Sequence, residues 1–487
     1  MKIRYLISED ELKAPCSLYD CDVASCTADY RKADGDSLLF LLPGVTFDTY
    51  KLTEEYVKSK PFAIVTENAS KFPEGSENII EVKNARRSFA HAMSRISEIN
   101  YGALTFIGVT GTNGKTSTAT MIHNILTDAN IKCGFIGTGK IFFESKSYAE
   151  KNYSMTCPDP DLLYPVIKDM QMRGCTAIVI EASSHALELY KLSPIPFKIG
   201  IFTGLSHEHL EFHGNIENYF KAKERLIEAA DTVIINFDDP WGKKLYEKYQ
   251  EKSTGIGIIW HSDCNAKSIE SRGLFGTAYI YKSKDVTTKI SISLPGLYNV
   301  YNSMLSFCAA YKLNVPVKKI KDALERTRHI DGRFERFFSD ITVIIDYAHT
   351  PFALEMLLKT INNIKKSEQK ITLIFGCGGE RDTFKRPLMA EIAEIYADRV
   401  IVTNDNPRGE DENKIISDIA CGFKTKKHGI IKNRAAAIEY AIKSADENDI
   451  VVIAGQGHEK YIKDKNGVRD FDERIIIENS LKLRKKK

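Results

Sequence analysis

The stretch "LTFIGVTGTNGKTSTATMIHNIL", Leu104 to Leu126, restricts the fold more than any other part of the chain. A β-favouring run ends in a Gly-rich turn, and the turn opens a helix whose Met121, Ile122, Ile125 and Leu126 recur at helical spacing. A strand, a tight loop and a helix in that order bring backbone N–H groups together at a helix N-terminus, where an anion is favoured. Gly111 and Gly114 permit close backbone approach, Lys115 adds a point charge for outer phosphates, and the Thr116 hydroxyl suits Mg²⁺. The spacing departs from G-x4-G-K-[ST], because position 109 is Val and the earlier glycine is Gly108. A Gly-rich turn that only caps a helix would not need Lys and Thr together.

Around this unit the chain reads as α/β. Apolar runs "LTFIGVT", "TAIVIEA", "KIGIFTG" and "TVIINFD" alternate with helical segments, which implies parallel βαβ units with helices on both faces. A second series follows Arg336: "ITVIIDYAHTP", "ITLIFGCGGERD", "RVIVTNDNPRGED" and "IVVIAGQGHE". Each of these four strands runs into a polar, Gly-rich or charged turn, and ligands in open parallel sheets bind beyond the carboxyl ends of the strands. At 487 residues the chain needs about three domains. The expected division is a small N-terminal α/β domain over 1–100, a central P-loop ATPase-like parallel-sheet domain over 101–332, and a Rossmann-like C-terminal domain over 333–487.

A net charge of +3 gives no reason to expect nucleic acid, and the one basic run, Arg484 to Lys487, reads as a solvated tail. Neither a signal peptide nor 18 consecutive apolar residues is present, so a cytoplasmic protein without membrane contact is expected. The ten cysteines are scattered, with no C-x-x-C pair, and are expected as free thiols without zinc or disulfides. With no heptad run, a monomer is the expected state.

Several residues carry two readings. Glu181 of "AIVIEASSHAL" ends an apolar strand, where it is either a solvated rim carboxylate or an edge of a Mg²⁺ shell beside the phosphate loop. "FTGLSHEHLEFHG" gathers His207, His209 and His213 with Glu208 and Glu211, but without the H-E-x-x-H spacing of a hydrolytic zinc helix. One of these imidazoles suits a second Mg²⁺ better, the others loop packing. Lys221 and Lys223 of "NYFKAKERLIEAA" both read as solvated lysines. The turn "TNDNPRGED" collects Asn406 and Arg408 after a strand, more selection than a plain loop needs.

Taken in order, "GTNGKTS", "EASSHAL", "LSHEHLEFHG", "PGLYNVYNSMLSFCAA", "DGRFER", "IDYAHTP", "GCGGERD", "DNPR" and "GQGHE" resemble the Mur ligases over about Gly108 to Glu459. Folylpolyglutamate synthases share the phosphate loop but not the later motifs. The resemblance implies an ATP- and Mg²⁺-dependent amide ligase of peptidoglycan precursor synthesis. A carboxylate of UDP-N-acetylmuramoyl-L-alanyl-D-glutamate would attack the γ-phosphate, and the amine of a diamino acid, expected as meso-diaminopimelate, would displace the acyl phosphate. Alternatives are the same chemistry with lysine, ornithine or another diamino acid, a paralogue with a related acceptor, and a nucleotide-binding regulator without turnover.

By the same resemblance, Gly111, Thr112, Asn113, Gly114, Lys115, Thr116 and Ser117 would cradle ATP, Asn299 and Asn302 would face the adenine, and Arg333 and Asp346 would close over phosphate and ribose. Thr116, Glu181, His209 and a carbamylated Lys223 would hold Mg²⁺. Asp29, Arg31, Thr156, Cys157, Ser183 and Lys191 would meet the nucleotide-peptide, and Arg381, Asn406, Arg408, Gly455 and Glu459 the amino acid. The chain departs from the family pattern at Tyr30, Cys157, Lys191 and Gln456, where the family carries Ser, Thr, Arg and Lys.

Overall fold

The apolar runs become strands in three separate β-sheets, as the computed structural model shows for residues 1–44, 47–149, 155–425 and 428–484. The basic tail beyond Arg484 lies outside these described residues. In the N-terminal part, strands Ser25–Thr27, Ser37–Phe40, Ala63–Thr66 and Ile79–Glu81 pair in chain order as a parallel sheet. The helix Ala85–Ile96 buries Phe89, Ala92 and Met93 against it and is capped by Asn84, whose side chain accepts the Arg87 N–H.

The central sheet has eleven strands, and the phosphate-loop strand Thr105–Thr110 lies between Phe197–Phe202 and Ala177–Glu181. Its middle is parallel as expected, but both flanks are not. Cys264–Ser271, Thr277–Lys282 and Thr287–Ile292 add an antiparallel meander on one side, and Lys140–Phe143 with Lys146–Ser147 on the other. These hairpins need no crossover helix, so the βαβ rhythm does not announce them. The C-terminal sheet is parallel through Thr342–Asp346, Ile450–Ala454, Ile371–Phe375, Arg399–Val402 and His428–Ile430, with Glu335–Phe338 antiparallel at one edge. The central strands of both larger sheets are buried throughout, and helices cover their faces.

The central and C-terminal parts meet through apolar contacts, with Phe275 stacked on Phe338 and Leu274 packed against the C-terminal core, and through polar ones. His349 Nε2 lies 3.1 Å from Glu208 Oε1, Arg333 Nη2 lies 3.3 Å from Thr116 Oγ1, and Lys140 pairs with Asp331. The chain crosses between them in the segment 327–333, where Ile330 and Arg333 form a short antiparallel bridge. All ten cysteines are free, and no helix among the described residues is long and apolar enough to cross a membrane.

Candidate active site at the phosphate loop

Gly111 and Gly114 take φ of +142° and +88°, conformations that a side chain would strain. A Cβ on Gly114 would also meet the Asn302 carboxamide at 2.5 Å. The loop thus closes tightly over the start of the helix Lys115–Asp128, which buries Met121, Ile122, Ile125 and Leu126. Lys115 Nζ folds back onto the carbonyls of Gly111 and Thr112, at 3.0 and 2.7 Å. Burial holds its ammonium below the usual lysine range, while Glu208 and Glu181 oppose that shift.

Glu181 is fully buried, not a solvated rim residue. Its carboxylate accepts from the hydroxyls of Thr116 (2.8 Å) and Thr138 (3.2 Å) and from the Thr138 N–H (3.0 Å). Thr138 in turn lies 3.1 Å from the Thr156 hydroxyl. Ser117 is buried in the helix, Thr112 donates to the Ser206 carbonyl, and the Asn113 carbonyl accepts from Thr203.

Lys221 and Lys223 separate completely. Lys221 is exposed, whereas Lys223 is 1% exposed and donates 2.7 Å to the Gly111 carbonyl. The expectation of two solvated lysines is therefore corrected. On the helix Ile216–Ala229, Tyr219, Ala222, Lys223, Leu226 and Ile227 form one apolar stripe, so Lys223 occupies a core position. Burial, with Lys115 nearby, holds its amine well below the usual lysine range.

Glu208 is the residue whose weight the sequence hid. Although burial opposes it, the hydrogen bond from His349 and the nearby His209 and Lys115 keep its carboxyl well below the usual range. His209, at φ +57°, lies near Glu208 and Glu211 and packs edge-on to His185. His213 bonds Ser184, and burial lowers it to about 4, while burial and His209 lower His185 to about 3. Among the described residues no three His, Cys, Asp or Glu side chains form a metal cluster on their own. Thr116 and Glu181 are in contact, but His209 is not gathered onto them. Such a donor set fits a hard cation that keeps water and phosphate oxygens as further ligands, as Mg²⁺ does.

Asn302 bonds Asn299 and accepts from Thr118, and Asn299 donates to the Pro295 carbonyl; both brace the loop from behind and are buried. Arg333 also stacks over Tyr347, with its guanidinium carbon 4.6 Å from the ring centroid. Asp346 accepts from the Phe334 and Ala348 N–H groups, and burial raises its pKa against the pull of Arg333.

The ends of the C-terminal strands converge as expected. Asn406 donates 2.6 Å to Glu459 and accepts from the Lys463 N–H. Arg408, at φ +54°, donates to the carbonyls of Gly379 and Asn406. Gly455 backs onto Asp405. Burial and then Asp405 push Glu459 up to about 7, against Asn406 and Arg408. Arg381 is exposed and makes no hydrogen bond or ion pair with Glu459; its charge acts instead on His185 and Glu211 of the central part. Two buried arginines that motif reading passed over hold these loops. Arg386 joins Gly378 to Glu410 and Asp418, and Arg434 ties the carbonyls of Asn404 and Ala454 to Glu473.

A separate cavity of about 470 Å³ lies between the N-terminal and central parts. It is lined by Asp29, Arg31 and Lys191, and also by Tyr30, Arg86 and Asp159. Arg31 makes a two-pronged pair with Asp29, and Lys191 pairs with Asp159 at 2.7 Å. Cys157 is buried, its thiol pushed up to about 12 by burial, and Ser183 caps the helix Ser184–Glu188.

Comparison with known proteins agrees with this geometry. Residues 109–310 match the Mur ligase middle domain, and residues 332–457 match the Mur ligase glutamate ligase domain. The UDP-N-acetylmuramoyl-L-alanyl-D-glutamate–2,6-diaminopimelate ligase of Clostridioides difficile (strain 630) is 36% identical over 468 residues, 94% of this chain and 95% of its own. Its counterpart 1 from Clostridium acetobutylicum is 32% identical over 99% of both chains. A solved structure of such a ligase superposes with a TM-score of 0.70 at 26% identity, covering 100% of this chain and 99% of its own. A MurF ligase from Thermotoga maritima in complex with ADP shares the fold at 17% identity and a TM-score of 0.59. With both domain models matched across residues 109–310 and 332–457 and relatives 32–36% identical over nearly the whole length, the chain belongs to the Mur ligase family.

Proposed function

We propose that the protein is an ATP-dependent amide ligase that adds meso-diaminopimelate to UDP-N-acetylmuramoyl-L-alanyl-D-glutamate. The observation that carries this reading is that Arg408 and Glu459, from the turns after Arg399–Val402 and Ile450–Ala454, converge on Asn406, which donates to Glu459 and whose carbonyl accepts from Arg408. A guanidinium suited to a carboxylate beside a carboxylate suited to an ammonium fits a substrate with both groups at its far end. The relatives' diaminopimelate specificity supports it.

The carboxylate of the acceptor attacks the γ-phosphorus of ATP, giving an acyl phosphate and ADP; the amine then attacks the acyl carbon and releases phosphate. Phosphoryl transfer of this kind depends mainly on positioning and charge neutralisation. Lys115, the loop N–H groups and Arg333 serve the phosphates, and Asp346 the ribose. Thr116, Glu181, His209 and Lys223 as its carbamate would hold Mg²⁺, which neutralises charge on the phosphate oxygens. Burial shifts the Lys223 amine toward its uncharged form, the form that is nucleophilic toward CO₂. The cavity beside Asp29, Arg31 and Lys191 takes the nucleotide end of the acceptor, which then runs past Ser183, Thr156 and Cys157.

The test is ADP formation with the authentic nucleotide-dipeptide across meso-diaminopimelate, lysine and ornithine. Diaminopimelate is expected to be used best, and equal or faster turnover with lysine would sink the specificity. Arg408→Ala should raise the KM for diaminopimelate by about 10- to 100-fold, the loss of a charge-assisted contact, and should narrow the gap to lysine.

Glu459 sets a pH dependence. Its pKa near 7 means that it becomes neutral as pH falls through about 7, and only the carboxylate form pairs with an ammonium. The KM for the amino acid is expected to rise on acidification below about 7, and binding there should release a proton. In Glu459→Gln that limb of the profile should vanish; a wild-type KM flat from pH 8 to 6 would remove Glu459 from this role.

A further inference from the structure

A cavity of about 410 Å³ opens beside the phosphate loop and, Thr116 apart, is lined by none of the residues assigned to a substrate above. Its floor is formed by Thr116 and Thr138, and its rim by Lys140, Arg328, His329 and His458. It lies on the face of the helix Lys115–Asp128 that carries Thr116 and Thr120, whereas Thr118, on the opposite face, touches Asn302. The cavity therefore meets the loop from the side away from Asn299 and Asn302.

The lining is cationic and carries unused hydrogen-bonding capacity. Lys140 is paired with Asp331, the one acid of the rim, which leaves the charge of Arg328 uncompensated. Among the described residues the Arg328 guanidinium has no ion-pair or hydrogen-bond partner; only its backbone carbonyl is engaged, by Arg336. His458 Nδ1 is buried without a partner, a condition that normally marks a place for water or a ligand. An exposed arginine fork and an unpartnered histidine nitrogen in one recess suit a tetrahedral oxyanion.

The reaction proposed above makes such an ion. When the amine attacks the acyl phosphate, the bond between the acyl carbon and the phosphate oxygen breaks. Both bonding electrons leave with the phosphate, which takes up the surplus proton of the nitrogen. The nucleotide-peptide approaches from the Asp29 and Lys191 side, the amino acid from Asn406 and Glu459, and the adenosine from Asn299. Resting on the ligase reading, we propose that the cavity between Thr116 and Arg328 is the port through which inorganic phosphate leaves, with Arg328 as its binding group. Phosphate in solution re-enters by the same route and competes with turnover there.

The experiment measures ADP formation by the full chain with ATP, the nucleotide-dipeptide and diaminopimelate, while inorganic phosphate is added as inhibitor. Arg328→Ala should need about tenfold more phosphate for half-inhibition, the weight of one charge-assisted contact. Arg328→Lys, which keeps charge without the fork, should lie between. Inhibition by ADP should not change in either variant. A wild type indifferent to phosphate, an Arg328→Ala enzyme as sensitive as wild type, or phosphate and ADP inhibition shifting together would each overturn the port. Absence of ADP formation by the wild type with every amino acid would instead overturn the ligase reading.

Discussion

Lys223→Ala is expected to lower ADP formation by about three orders of magnitude or more, the range seen when a group organising transition-state charge is removed. The side chain is buried, touches the Gly111 carbonyl and lies near Lys115, so it cannot be an ordinary surface lysine. Left as a cation it would repel the metal and its neighbour; as a carbamate it becomes an anion that both would favour. The enzyme should lose activity when dissolved CO₂ is stripped and regain it when bicarbonate is restored. Intact ATP binding by Lys223→Ala, together with turnover indifferent to CO₂, would show that the amine only braces the loop.

Arg434→Ala should destabilise the C-terminal part by about 3–5 kcal/mol, the usual result of stranding one member of a buried ion pair. Arg434 and Glu473 are both fully buried, and the guanidinium also holds the carbonyls of Asn404 and Ala454. Replacing the pair together, Arg434→Met with Glu473→Leu, should recover much of the stability. It should not recover affinity for the amino acid, because the two carbonyls belong to the strand ends that present Asn406 and Glu459. Urea unfolding and the KM for diaminopimelate, measured on both variants, separate these effects. A single variant as stable as the double would contradict the argument.

Much of this was legible in the chain because the site is built from local units. A strand, glycines, Lys115 and Thr116 lie within a dozen positions, and each C-terminal strand carries its own polar turn. What the sequence hid depends on packing between distant segments. Thr138 joins Glu181 only because the strands Cys133–Gly137 and Ala177–Glu181 are paired. Glu208 acquires its importance from His349, 141 positions away. The antiparallel meander Cys264–Ile292 escaped because no α-helix separates its strands. Lys223 was readable in principle, as the one charged residue in an apolar stripe, but its pairing with Gly111 was not.

The position of Arg333 has a mechanical consequence. It stands at the end of the crossing segment 327–333, next to the point about which the C-terminal part would turn in any closure. A residue so near the pivot would travel on a short lever, while Arg408, after a strand four positions across the sheet from Glu335–Phe338, would travel on a longer one. Such a rotation would leave an Arg333 grip on the outer phosphates almost unchanged and swing the proposed amino-acid clamp through most of the displacement. On the ligase reading, nucleotide affinity would then be decoupled from closure and amino-acid affinity tied to it, so that ATP could be held before the third substrate arrives.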